Sequence, residues 1–92
     1  ESPALDIIHL LQARGAKVQY HDPHVPNLLH EGVALHSMEL TDTAVSAADC
    51  VIIVTHHSTF DWPRIAAHAR LIVDTRNALT AEPVGRLVRL TG

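Results

Sequence analysis

Asp74 and Arg76 are the residues of this sequence whose types and spacing best suit ligand chemistry. They stand two positions apart in the stretch Asp74-Thr75-Arg76-Asn77, directly after the apolar run 71–73. That run predicts a buried strand, and ligands of open α/β sheets bind where the strands have their carboxyl ends. The Arg76 guanidinium can donate two parallel hydrogen bonds to phosphate or carboxylate oxygens, and Asp74 could orient it. An alternative stays open, in which the two side chains form a local ion pair that only organises the turn.

Cys50 is the single cysteine of the chain, which excludes an internal disulfide. It follows Ala-Ala-Asp and enters the β-branched run 51–54. A thiol in that position packs as a small hydrophobic group and stays protonated. We therefore predict that Cys50 is a structural cysteine and not a catalytic nucleophile.

The eight histidines raise the question of a metal site. His21 and His24, and the pair His56-His57, fall near predicted strand ends, on the side of the sheet that binds ligands. A zinc site needs three or four converging ligands, and the sequence has neither a second cysteine nor a helical pair of histidines. We predict surface histidines and no metal.

Composition sets limits on the class of protein. The 92 residues are 47% hydrophobic, enough for the core of one domain, and seven basic against ten acidic side chains give a net charge of −3. The acidic balance argues against nucleic acid and anionic membranes as partners. There is no signal peptide and no apolar run that could span a bilayer, so we expect a cytoplasmic location.

Two regular elements are predicted in the first half of the chain. Residues 3–14 read as an amphipathic helix that Ser2 caps and Gly15 ends. The predicted apolar stripe consists of Ala4, Ile7, Ile8 and Leu11, widened by Leu5 and Leu10. A short strand at 17–21 and a loop to residue 40, with a possible extended stretch at 33–36, are expected to follow.

Strands and helices alternate in the second half. We predict a short helix at 43–48 capped by Thr41-Asp42, a buried strand at 51–54, a helix from Asp61 to His68, a buried strand at 71–74 and an edge strand at 87–90. This alternation predicts an α/β fold in three layers, a parallel sheet with helices on both faces.

The first helix has no strand before it in the sequence, so we expect the sheet to lack its first strand. Unpaired strand edges are unfavourable, so we expect the gap to be closed by direct pairing of its neighbouring strands or by a second chain.

Four clusters in this order and spacing resemble one family. They are Glu1-Ser2-Pro3-Ala4, Tyr20-His21-Asp22-Pro23, Thr55-His56-His57-Ser58-Thr59-Phe60-Asp61 and Val73-Asp74-Thr75-Arg76-Asn77. Together they resemble the C-terminal domain of the UDP-glucose/GDP-mannose dehydrogenase family, most closely the UDP-N-acetylhexosamine 6-dehydrogenases. The resemblance covers essentially the whole chain. One departure is His56, where the family often has an aspartate.

The resemblance implies a Rossmann-like domain and an NAD-dependent enzyme. It also implies that the missing first strand would lie between the strands at 17–21 and 51–54, so these are the two strands expected to pair directly or to be bridged by a second chain. In this family an N-terminal domain binds NAD, a central domain dimerises, and the C-terminal domain helps to hold the UDP-sugar, whose C6 alcohol is oxidised to a carboxylate. The catalytic cysteine and lysine lie upstream, so residues 1–92 would be one N-terminally truncated domain without catalytic residues. Alone it should be inactive; in the whole enzyme its partners would be the rest of the dehydrogenase chain and further copies.

The resemblance also suggests which residues bind substrate or cofactor. Arg76, with Asp74 beside it, would face the crevice between domains and grip the nucleotide sugar or the cofactor. Glu1 and Ser2 would cap a helix whose positive end could face phosphate. The alternative function is a stand-alone α/β ligand-binding or protein-interaction module with no enzymatic parent.

Overall fold

The computed structural model describes residues 3–56 and 60–90. Its elements, in chain order, are α1 (Pro3–Ala13), β1 (Asn27–His30), β2 (Val33–His36), α2 (Asp42–Ala47), β3 (Val51–Ile53), α3 (Trp62–His68), β4 (Leu71–Asp74) and β5 (Arg86–Arg89). The chain divides into two compact units, unit 1 (Glu1–Leu40) and unit 2 (Thr41–Gly92), each with its own architecture. No described helix is long and apolar enough to cross a membrane.

Helix α1 ends in the glycine motif that the sequence predicts. Gly15 has φ +88°, its N–H donates to the Gln12 carbonyl at 3.0 Å, and the Ala16 N–H donates to the Leu11 carbonyl at 3.0 Å. This pair of bonds is a Schellman motif, which needs a left-handed residue and therefore favours glycine. The predicted end of the helix is confirmed, whereas its cap Ser2 lies outside the described residues.

The buried face of α1 is narrower than its sequence suggests. Ile8 is buried, while Leu10 is 63% exposed. The prediction that Leu10 widens the buried stripe is therefore wrong. A position two residues from Ile8 lies about 200° around the helix, which places it near the opposite face.

Residues 17–21 do not form a strand, which corrects the sequence prediction. Their pairing is one isolated parallel bridge between Tyr20 and Ser37, accompanied by a 2.9 Å hydrogen bond from the Met38 N–H to the Tyr20 carbonyl. Since 17–21 is not a strand, the expectation of a ladder between it and the 51–54 strand loses its basis; in the described residues β3 forms its ladder with β4. The alternation of Lys17 and Gln19 with Val18 offered too little apolar surface for a sheet position.

Unit 1 contains an antiparallel hairpin where mostly loop was predicted. Strands β1 and β2 pair with Leu28 opposite Leu35, and the turn residues Glu31 and Gly32 have φ +49° and +88°. Two left-handed turn residues define the type I′ turn that suits two-residue hairpins. The sequence signal was weak because glutamate, unlike asparagine or aspartate, rarely occupies the first of these positions. Only the extended stretch 33–36 was foreseen.

Unit 2 is built on a parallel sheet in the order β3-β4-β5. The register places Ile53, Asp74 and Arg89 side by side at the carboxyl ends of the three strands. Ile72 on the central strand is completely buried, and β5 lies at the edge as predicted. The α/β, Rossmann-like fold class with a parallel sheet is thus confirmed.

The two helices of unit 2 start at the caps that the sequence indicates. The Thr41 hydroxyl accepts the Ala44 N–H at 3.1 Å, and the Asp61 carboxylate accepts the Arg64 N–H at 3.2 Å. Each bond satisfies one of the free N–H groups of a first helical turn. The helices α2 and α3 pack on each other.

Gly85 allows β5 to begin close to the preceding segment. A Cβ at this position would lie 2.4 Å from the carbonyl oxygens of both Ala69 and Arg70. The close approach lets the Arg86 N–H donate to the Arg70 carbonyl at 3.1 Å, which starts the pairing of β5 with β4.

Candidate functional site

The candidate site is the loop at residues 75–79, which follows β4 at the carboxyl edge of the sheet. Its first residue is bonded to the neighbouring strand, because the Thr75 N–H and hydroxyl both donate to the Ile53 carbonyl, at 3.1 and 2.6 Å. The beginning of the loop is therefore fixed to the end of β3.

Asp74 is the organising group of this loop. Its carboxylate accepts the backbone N–H groups of Arg76 at 3.0 Å, Ala78 at 3.1 Å and Leu79 at 2.8 Å. The sequence suggested a carboxylate that emerges at the sheet edge, but Asp74 is 0% exposed. The loop wraps around the carboxylate because each N–H that would otherwise be buried and unpaired finds an acceptor there.

The surroundings of Asp74 keep it ionised. Burial alone would raise the pKa of this carboxyl, but the N–H groups of Leu79, Ala78 and Arg76 and the charge of Arg89 outweigh it and hold the pKa below its ordinary value. Hydrogen bonds to the charged form lower the pKa of a carboxyl in this way. Asp74 is thus a buried anion whose partners belong to the protein itself.

Arg89 supplies the side chain that reaches Asp74. Its Nη1 lies 3.4 Å from Asp74 Oδ2 and donates to Asn77 Oδ1 at 2.7 Å, while its Nη2 donates to the Leu79 carbonyl at 2.9 Å. The alternative of a local ion pair between Asp74 and Arg76 is not found; Asp74 instead forms an ion pair with Arg89. The sequence feature at Arg89 was the alternation of charged and apolar residues along the last strand. This pattern predicts partial exposure, but it does not identify Arg89 as the partner of Asp74.

The Arg76 side chain is exposed, whereas its backbone N–H donates to the Asp74 carboxylate. Among residues 3–56 and 60–90, no acidic side chain forms an ion pair with its guanidinium. Because Asp74 is already satisfied, the Arg76 side chain is left available for an anion from outside.

The remaining sequence candidates contribute less. Cys50 is half-buried just before β3, and burial raises the pKa of its thiol, which disfavours the reactive thiolate. His21 shares a 2.7 Å hydrogen bond with the Met38 carbonyl. In the part of the chain that the structure describes, no three histidine, cysteine or acidic residues are grouped so as to hold a metal. Glu1, Ser2 and His57 lie outside that part.

An aromatic cluster that the sequence did not predict lies near the start of α3. The rings of Phe60 and Trp62 meet edge to face with centroids 5.3 Å apart, and the His56 ring lies 6.1 Å from Trp62. This geometry is common for aromatic pairs that pack together. The packing of these rings against one another therefore explains the cluster.

Comparison with known proteins identifies relatives of the chain. The model of the UDP-glucose/GDP-mannose dehydrogenase family, UDP binding domain, matches residues 1–81. A UDP-N-acetyl-D-mannosamine dehydrogenase from Pyrococcus horikoshii is 29% identical over 96 residues, which cover 99% of this chain and 21% of that protein. The chain thus spans about a fifth of the length of this relative. No solved structure matches significantly.

Proposed function

The chain belongs to the UDP-glucose/GDP-mannose dehydrogenase family, and from this membership we propose that it serves as the UDP-sugar-binding C-terminal domain of an NAD-dependent nucleotide-sugar 6-dehydrogenase. The substrate class we propose is a UDP-N-acetylhexosamine, by analogy with the related UDP-N-acetyl-D-mannosamine dehydrogenase. The whole enzyme would oxidise the sugar C6 alcohol to a carboxylate in the cytoplasm as a homo-oligomer.

The observation that carries the proposal is the contrast between Arg76 and Arg89. Arg89 is bonded to Asp74, Asn77 and Leu79, whereas Arg76 presents a guanidinium without an acidic partner among the described residues. An exposed guanidinium on an anchored loop suits the diphosphate of a nucleotide sugar, which accepts paired N–H donors. Asp74 then acts as the support of the loop and not as a ligand of the substrate.

The residues present do not fit NAD as a ligand of this domain. A dinucleotide fold needs a Gly-x-Gly-x-x-Gly turn, and the four glycines of this chain are not so spaced. The N–H groups of Arg76, Ala78 and Leu79, which could have met a pyrophosphate, are directed at Asp74. We therefore assign NAD binding and hydride transfer to a part of the enzyme other than residues 1–92.

Binding of UDP to the whole polypeptide tests this proposal. Loss of a charge-assisted hydrogen bond is worth about 1.5–3 kcal/mol, so R76M should weaken UDP binding about tenfold to a hundredfold in calorimetric titration. The control is R70M, because Arg70 lies before β4, at the opposite end of that strand, and pairs only loosely with Asp49 at 3.7 Å. Equal affinity of R76M and the parent protein would refute the role of Arg76.

A second experiment tests whether the catalytic residues lie in a part of the enzyme other than residues 1–92. The isolated 92 residues, mixed with NAD and a UDP-sugar, should give no absorbance from NADH. Turnover by this fragment would contradict the assignment of the catalytic residues to another part of the enzyme.

A further inference from the structure

We propose that Arg89 is a positioning residue for Arg76: it fixes the loop that presents the Arg76 guanidinium to the diphosphate of the nucleotide sugar. The inference rests on the proposed function, because it assumes that Arg76 contacts the ligand. It adds a residue that lies 13 positions further along the chain and on a different strand.

Arg89 contacts the loop at three points. Its guanidinium donates to the Asn77 side chain at 2.7 Å and to the Leu79 carbonyl at 2.9 Å, and it lies 3.4 Å from the Asp74 carboxylate. The planar fork of arginine can make such divergent contacts at once, which a lysine ammonium cannot reproduce. One side chain on β5 thus joins the beginning, middle and end of the turn.

The Asn77 contact has a conformational consequence. Asn77 has φ +54°, in the left-handed region that asparagine tolerates better than most residues but that still costs energy. The bond from Arg89 to Asn77 Oδ1 holds this residue where the reversal of the chain occurs. Without that bond, the turn loses the contact that favours its left-handed residue.

Arg76 lies between two residues that are anchored to different strands. On one side, Thr75 is bonded to the Ile53 carbonyl at the end of β3. On the other side, Asn77 is bonded to Arg89 at the end of β5. The Arg76 backbone is therefore fixed from both directions, while its side chain stays exposed. Such preorganisation strengthens binding because less freedom is lost when the ligand arrives.

The family model matches residues 1–81, which include Asp74 and Arg76 but not β5. The contacts of Arg89 with the loop are therefore outside the matched residues.

The test is a double-mutant cycle on the whole polypeptide, with UDP as the probe and calorimetric titration as the measurement. R89M should weaken UDP binding by about three- to tenfold, the effect expected from restoring the freedom of one ordered segment. R89K should also weaken it, because one ammonium cannot reach all three acceptors. The matched control is R86M, on the same strand, whose guanidinium makes no hydrogen bond with the loop at 75–79; its affinity should stay within about twofold.

Coupling between Arg76 and Arg89 separates positioning from general stability. In the R76M background, R89M should cause no further loss of affinity, because the loop then has no guanidinium to present. Each titration is run at a temperature well below the thermal unfolding midpoint of the variant, so that folded proteins are compared. A second route to the same contact is N77A, which removes the Oδ1 acceptor and should reproduce the loss seen in R89M.

Each outcome has a distinct meaning. Equal affinity of R89M and the parent protein, with R76M weakened, would overturn the positioning role and leave the proposed function intact. Fully additive losses would show that Arg89 acts independently of Arg76 and would also overturn it. Unchanged affinity of R76M would instead remove the proposed function on which the inference rests.

Discussion

The two units of the chain differ in how they are held together. The buried apolar side chains described in unit 1 are Ile8 and Val33. Those of unit 2 are Val45, Ile53, Ile65, Ala66, Ala69, Ile72, Ala78 and Leu79, around the buried Asp74. Unit 2 therefore has a hydrophobic core, and the burial of its apolar area stabilises the unit.

Unit 1 has fewer buried apolar side chains, and hydrogen bonds near its turns contribute to its stability. The Tyr20 hydroxyl donates to the Val25 carbonyl at 2.7 Å, and the Asp22 N–H donates to the Ser37 hydroxyl at 2.9 Å. A typical bond of this kind contributes about 0.5–1.5 kcal/mol, because water competes for the same groups. The comparison teaches that the candidate ligand loop lies in the better-packed unit, where a side chain can be held in one orientation.

The largest effect is expected for Asp74→Asn. The substitution removes a buried negative charge that three backbone N–H groups and Arg89 stabilise. It also places an amide NH2 group, which is a donor, against N–H groups that need an acceptor. Breaking a buried pair costs about 3–5 kcal/mol, so urea unfolding should show a loss of that size. The control is Asp49→Asn, whose side chain is 99% exposed and should lose no more than about 0.5 kcal/mol. Similar losses for both variants would contradict the central role of Asp74.

A pair of leucine truncations tests the comparison directly. Leu79→Ala removes a side chain that is 1% exposed in unit 2, and Leu29→Ala removes one that is 74% exposed in unit 1. Buried leucine truncations cost about 2–5 kcal/mol, whereas exposed ones change stability by about 0.5 kcal/mol or less. Denaturant midpoints measure both. Comparable losses would mean that unit 1 buries Leu29 in solution, and the contrast between the units would disappear.

Two glycines sharpen the contrast further. In unit 2, a Cβ at Gly85 would lie 2.4 Å from two carbonyl oxygens, so Gly85→Ala must shift the backbone and should cost about 1–3 kcal/mol. In unit 1, the Cβ of Gly15→Ala would meet nothing within 4 Å, and only the strain of φ +88° remains, about 1 kcal/mol. Thermal unfolding of the two variants should rank them in this order, and the reverse order would exclude close packing at Gly85.

The smallest effect is a dependence on acidic pH. Because the folded pKa of Asp74 lies below its unfolded value, the stabilisation is complete above the unfolded pKa, about 3.9, and is lost as the pH falls through the folded pKa. Unfolding free energies measured at successively lower pH should therefore decline in strongly acidic solution. Asp74→Asn should show a shallower decline, and parallel curves for the two proteins would exclude Asp74 as a source of acid sensitivity.

The fold could be predicted from sequence mainly in unit 2. The runs at 51–54 and 71–74 are short, apolar and β-branched, and the caps Thr41 and Asp61 lie directly before their helices. These signals are local, so one stretch of sequence contains them. The hairpin of unit 1 was missed, because its turn depends on the left-handed Glu31, a conformation that the residue type does not favour.

The candidate site was predictable only in part. Position after a buried strand identified the Asp74–Asn77 stretch, because ligand sites of α/β sheets lie there. The partner of the carboxylate was missed, because Arg89 is brought beside Asp74 by the register of two strands that are distant in sequence. The local sequence pattern suggests Arg76 as the partner of Asp74, because it is only two positions away. Only the pairing of β4 with β5 shows that the partner is Arg89.

The edge position of β5 has a practical consequence for anyone who shortens this protein. A truncation that follows the family match and stops at residue 81 would delete the whole strand. The apolar strand β4 would then become an open edge, with unpaired backbone groups that invite pairing between molecules. Such a shortened protein should form insoluble aggregates, although every residue that the family model matches is still present.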